Sequence, residues 1–162
     1  MTHDLDTLFE KNFASLWLSF LELEIKRSCE AVKFIGGART YLVLQIICWH
    51  YFLVVKGSLK QKERSSIVKH WHKLSEKGYT DKNILTYSLI SRLSGLSIET
   101  VRRHVRKLID SKWVRYNKLS GVIFAASEEN NKRLTDEFNI KELAFLKEFM
   151  NKVETLKNKD IS

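Results

Sequence analysis

Apolar side chains recur at helical spacing over residues 5–35. Phe9, Phe13, Leu16, Phe20 and Leu23 stand alternately four and three residues apart, the pattern of a coiled-coil-like seam. Trp17, Leu18, Leu21 and Ile25 add a second apolar surface to the same stretch. A helix that is apolar on two sides must be covered on two sides. One cover is expected from the rest of the chain and the other from a second copy; burial of both within a single chain is the alternative. Gly36-Gly37 ends this helix.

A second helix is expected over 38–56. Its 41–55 portion is apolar apart from Gln45 and His50. Fifteen residues fall short of the ~20 that cross a bilayer core, and two polar side chains add cost in lipid. The run therefore predicts a buried helix and no membrane span. Residues 59–82 are polar and basic, with a helix expected at 66–76. His70 and His72 in it stand two apart, on different sides of a helix, so they do not form a metal site.

From residue 83 the pattern shortens. Ile84-Leu85-Thr86 reads as an extended segment or as the lead into a helix at 87–93. Gly95-Leu96-Ser97 interrupts, and a second short helix spans 98–110, with Ser97 as N-cap and Glu99 at the positive end of its dipole. Two β-rich segments, 113–116 and 122–125, flank the turn residues 117–121 and predict a hairpin. Ser127-Glu128-Glu129 starts another helix. The last helix, 139–157, carries Leu143, Leu146, Met150 and Val153 on one stripe, with Phe145, Phe149 and Leu156 beside it.

Charge singles out the middle of this order. Residues 56–118 hold 16 Lys/Arg against 5 Asp/Glu, whereas the rest holds 12 against 14, so the net +9 comes wholly from the centre. That is the footprint of a polyanion-binding module between near-neutral structural segments. Two cysteines, Cys29 and Cys48, make no disulfide framework and fit a reducing compartment. The first residues lack the basic region of a signal peptide, and a cytoplasmic location is expected. No glycine-rich phosphate loop, metal-spaced Cys/His set or nucleophile elbow occurs, so neither an enzyme nor a cofactor is expected.

On the 98–110 helix, Ile98, Val101, Val105, Leu108 and Ile109 fall on one side of the wheel, expected to pack on the domain. Arg103 and Lys107 lie nearly opposite, with Glu99, Thr100 and Arg106 close by. Arg102 and His104 take the flanks. A helix with such an outer face can enter a major groove and offer guanidinium groups to guanine edges or phosphates. A solvated basic face is the bland alternative. The setting argues against it: a short helix, a glycine turn, a capped basic helix and a basic hairpin occur in that order.

Residues 89–114, LISRLSGLSIETVRRHVRKLIDSKWV, resemble the helix-turn-helix of bacterial winged-helix regulators of the GntR, Crp and MarR types. Leu93, Gly95, Leu96 and Ser97 match at the turn, followed by Thr100-Val101-Arg102, Val105 and Leu108. Those families usually place a glycine before the wing strand, where this chain has Lys112-Trp113. The flanking apolar helices are similar to the MarR-type plan, relative to which residues 58–82 look like an insertion.

The resemblance implies a mainly α fold with a small β-hairpin wing: a winged helix-turn-helix with long N- and C-terminal helices. Residues 1–58 would form a helical dimerisation and core segment, 59–82 a basic insertion or linker helix, 83–126 the DNA-binding core, and 127–162 C-terminal helices that join the dimer. Ser97 and Thr100 would bond phosphates, Arg102, Arg103 and Arg106 would reach bases or phosphates, and Arg115, Asn117 and Lys118 would touch the backbone or minor groove from the wing. Phe9, Phe13, Leu16, Phe20, Leu23, Leu146, Met150 and Val153 would hold two copies together. The implied function is sequence-specific binding of double-stranded DNA by a homodimeric transcriptional regulator. A winged-helix replication, partition or protein-interaction module is the alternative. The apolar helix at 41–55 and the N-terminal helix could also hold a small apolar effector, although the same residues make ordinary core.

Overall fold

A computed structural model describes residues 2–60, 62–79 and 82–161 of the chain. The chain runs α1 (Thr2–Ile35), α2 (Ala38–Gly57), α3 (Arg64–Lys77), α4 (Tyr87–Ser94), α5 (Ile98–Asp110), β1 (Val114–Asn117), β2 (Gly121–Phe124), α6 (Glu128–Lys132), a π-helical segment (Arg133–Phe138) and α7 (Asn139–Ile161). It is mainly helical, with one two-stranded antiparallel sheet. The absence of proline leaves the helices uninterrupted over long stretches. Residues 61, 80 and 81 of the 59–82 stretch lie outside the described residues.

The core is built around α2. Val43, Ile47, Tyr51 and Val55 recur every fourth residue on one of its faces and are fully buried, which is why the apolar run folds as a helix rather than a strand. The Tyr51 ring stacks on Phe124 of β2 at 4.8 Å and meets Trp71 of α3 edge-on at 4.4 Å. Trp71 donates its indole N–H to Asn131 Oδ1 at 3.0 Å, and Asn131 Nδ2 donates to Ser75 Oγ at 3.0 Å. These buried polar groups are satisfied within the core. Ile67, Trp71 and Ser75 are all buried, so α3 is an integral wall of the core and does not stand apart from it as a linker. By length and composition α2 would also cross a membrane; here its buried face forms the centre of the fold, while Trp49, Phe52 and Leu53 are exposed.

Helices α1 and α7 pack in opposite senses. Phe20 meets Phe149 edge-on at 6.3 Å, Lys26 pairs with Glu148 at 2.8 Å, Arg27 with Glu142 at 2.9 Å, and Lys141 with Glu30 at 2.8 Å. Asn12, with φ −115° and ψ 18°, kinks α1.

This pairing corrects one expectation. Leu16 is only 1% exposed within the single chain, so it belongs to intrachain packing rather than to a second copy. Phe20, Leu23 and Val153 are half-buried, whereas Phe9, Phe13, Leu146 and Met150 are exposed. The seam was legible from spacing, but which of its residues the returning α7 would cover was not.

The hairpin pairs Val114 with Phe124 and Asn117 with Gly121. Each strand is displaced by one residue from the expected segments. At its tip, Asn117 Oδ1 accepts from the amides of Leu119 and Ser120 at 2.9 and 2.7 Å, an Asx-type turn. The extended segment before α4 docks beside it: Val122 N–H donates to the Leu85 carbonyl at 2.8 Å.

Candidate nucleic-acid interface

Two capped helices and the hairpin form the candidate site. Thr86 caps α4 by accepting from the Leu89 amide at 3.1 Å. Gly95, with φ +71°, takes the left-handed conformation that ends α4. Ser97 Oγ then accepts from the Thr100 amide at 3.2 Å and donates to Thr100 Oγ1 at 2.9 Å. The two hydroxyls expected to contact phosphate are thus joined to each other at the start of α5.

Helix α5 buries Val101, His104, Val105 and Leu108. Arg102, Arg103, Arg106 and Lys107 are exposed together on its other side. Two wheel assignments need correction. Ile98 and Ile109 were expected to pack inward, yet they are 42% and 38% exposed at the two ends of the helix. The reason is angular: Val101, Val105 and Leu108 centre the buried arc, and Ile98 and Ile109 fall at its edge beside Arg102.

His104, expected on a flank, takes the inward place instead. Its Nδ1 shares a hydrogen bond of 2.9 Å with Thr40 Oγ1 at the start of α2. Burial lowers its pKa below the ordinary value, and Lys107, Arg103 and Arg39 lower it further. The ring is therefore held neutral, tying α5 to α2.

The end of α5 explains the departure at Lys112. That residue has φ +61°, the left-handed conformation for which glycine is the usual choice. Trp113 N–H reaches the Leu108 carbonyl at 2.8 Å and Lys112 N–H the Ile109 carbonyl at 3.0 Å. Together they make a Schellman cap. Trp113 is then buried, and its packing holds a lysine in a conformation that costs about 1 kcal/mol or more.

Arg102 is the most constrained cation on this face. Its guanidinium lies 3.8 Å from Glu99 and 5.8 Å from the centre of the Tyr87 ring. Tyr87 in turn stacks on Tyr116 of β1 at 4.6 Å. Glu99 and Arg102 are both well exposed, so their pairing is weak. The chain of contacts joins α4, α5 and the hairpin, and a cleft of about 230 Å³ opens where they meet, lined in part by Arg102, Tyr116 and Lys118. Arg103, Arg106 and Lys107 form no intrachain ion pair among the described residues.

Sequence alone does not single out Tyr87 and Tyr116. Each was visible as an element residue, but their stacking depends on where the hairpin folds back. Arg115, Asn117 and Lys118 are exposed on the hairpin. The Asn117 side-chain oxygen is occupied by the turn, which leaves its amide N–H groups to donate.

Among the described residues, no group of three His, Cys, Asp or Glu converges on a metal-sized site. His70 bonds Ser58 Oγ and His72 bonds Thr135 Oγ1, at 2.9 and 3.0 Å, in separate surroundings. No protein-family model, curated protein or solved structure matches the chain.

Proposed function

We propose that the chain is a winged helix-turn-helix protein that binds double-stranded DNA sequence-specifically and regulates transcription. The observation that carries this reading is the exposed row Arg102, Arg103, Arg106 and Lys107 on a helix that buries Val101, His104, Val105 and Leu108 on its other side. Arg103, Arg106 and Lys107 have no carboxylate partner among the described residues and keep their charge for an external polyanion. Arg103 and Arg106 are the base readers in this reading, and Arg102, held near Glu99 and Tyr87, is the phosphate contact. Arg115 and Lys118 of the wing contact the backbone or minor groove.

The DNA-binding unit is a homodimer. Its contacts use the exposed Phe9 and Phe13 of α1 together with Leu146 and Met150 of α7, adjoined by Trp17, Leu18, Leu21 and Ile25. An exposed apolar surface of this extent on paired helices suits a second copy of the same surface.

Selection of bound sequences from random duplex DNA, followed by a salt titration on the selected site, tests both parts. A two-fold-symmetric site with half-sites one helical turn apart, and affinity falling steeply with salt, are expected. Failure to enrich any sequence, with salt-insensitive capture of a protein instead, overturns the reading.

A further inference from the structure

A second site lies on the other side of α2 from α5. A cavity of about 500 Å³ opens between α1, α2, α3, the π-helical segment and α7, within the range of small-molecule sites. One face of α2 lines it through Tyr41, Gln45, Cys48, Trp49 and Phe52. Its opposite wall includes Ile67, Val68 and Trp71 of α3, a helix in the stretch with no counterpart in the winged-helix resemblance.

The polar groups are few and arranged by sign. Arg27 is neutralised: its Nε bonds Glu142 at 2.9 Å, and its Nη2 bonds the Tyr41 hydroxyl at 3.0 Å. Lys62 and Arg64 are different. Lys62 Nζ donates to the backbone carbonyls of Lys56 and Leu59, and Arg64 Nη2 donates to the Thr135 carbonyl at 2.6 Å. Among the described residues neither has a carboxylate partner, so this end of the cavity keeps its positive charge. Gln45, one of the two polar residues that interrupt the apolar run, makes no hydrogen bond among the described residues. Its amide stands in the wall with both donor and acceptor capacity open. Burial pushes the Cys48 thiol far above its ordinary pKa, so it adds an apolar surface and no nucleophile.

We propose that this cavity binds an apolar monocarboxylate, its carboxylate held by Lys62 and Arg64 and its hydrocarbon body lying along α2. Charge-assisted bonds to a guanidinium are the strongest polar contacts available to such a group. The proposal does not depend on DNA binding.

Titration calorimetry and thermal unfolding of the full chain with octanoate, against octanol as the uncharged control, test it. Octanoate is expected to bind one per chain and to raise Tm. Lys62→Glu and, separately, Arg64→Gln are each expected to weaken octanoate by about tenfold, as for loss of one charge-assisted contact, and to leave octanol unchanged. The two variants guard against a folding defect in either. Absence of heat and of any Tm shift at millimolar octanoate overturns the proposal, as does equal binding of octanol and octanoate. Shielding of Trp49 on dimerisation, without any response to octanoate, assigns the groove to a second copy and overturns it too.

Discussion

Gly121→Ala is expected to destabilise the fold by about 3 kcal/mol, through two separable causes. Gly121 has φ +68°, and a Cβ built on it lies 2.4 Å from the Leu85 carbonyl oxygen and 2.6 Å from Ile84 Cγ2. The left-handed backbone alone costs a non-glycine residue about 1 kcal/mol or more. The approach to Leu85 is the larger cause, because the obstacle is backbone and cannot rotate away. To admit a methyl group the 84–86 segment must retreat, which breaks the Val122 N–H bond to the Leu85 carbonyl. Leu85 is 1% exposed, so the freed carbonyl is left desolvated at a cost of about 1–3 kcal/mol.

Urea unfolding followed by tryptophan fluorescence measures the loss, with Trp113 as a buried reporter. The midpoint is expected to fall with the m-value unchanged. Gly36→Ala is the control. Gly36 has φ +81° but nothing within 4 Å of its added Cβ, so it carries the backbone cost alone, about 1 kcal/mol. Equal losses for the two substitutions would refute the close approach of the 84–86 segment to the hairpin.

Three further predictions rest on the same site. Lys112→Gly relieves the left-handed conformation at the end of α5 and should stabilise by about 0.5–1 kcal/mol, read as a rise in Tm. His104 takes up a proton near pH 6.5 when unfolded but at lower pH when folded, so the unfolded state binds more protons between those values. Its contribution to stability is complete above about pH 6.5 and is lost as pH falls through the folded-state pKa; His104→Gln should flatten that slope in pH-dependent unfolding, and an unchanged slope would remove His104 as its source. Arg103→Ala should weaken binding to the selected DNA site by about 1–3 kcal/mol and relax preference at one base pair, whereas unchanged affinity across all bases would exclude Arg103 from readout.

Local chemistry made much of the chain legible in advance. Ser97 and Ser127 cap helices because their side-chain oxygens accept from free first-turn amides, a contact within a few residues that sequence can specify. Gly95 ends α4, and the β-rich segments around 117–121 pair as a hairpin, for equally local reasons. The basic outer side of α5 follows from helical periodicity and the positions of its four cations.

Tertiary structure decided what periodicity could not: which neighbour covers each face. A wheel orders the residues around α5 but does not fix where the buried arc is centred or how wide it is. Ile98 and Ile109 remain exposed, while His104 is drawn inward to Thr40. Leu16 is buried because α7 returns along α1, and α3 joins the core because Trp71 meets Tyr51 and Asn131. The Tyr116–Tyr87–Arg102 stack and the cavity beside Gln45 arise from segments far apart in sequence. Local hydrogen bonding and side-chain period reside in the sequence itself, whereas burial depends on the whole set of packed surfaces and exists only once the chain has closed on itself.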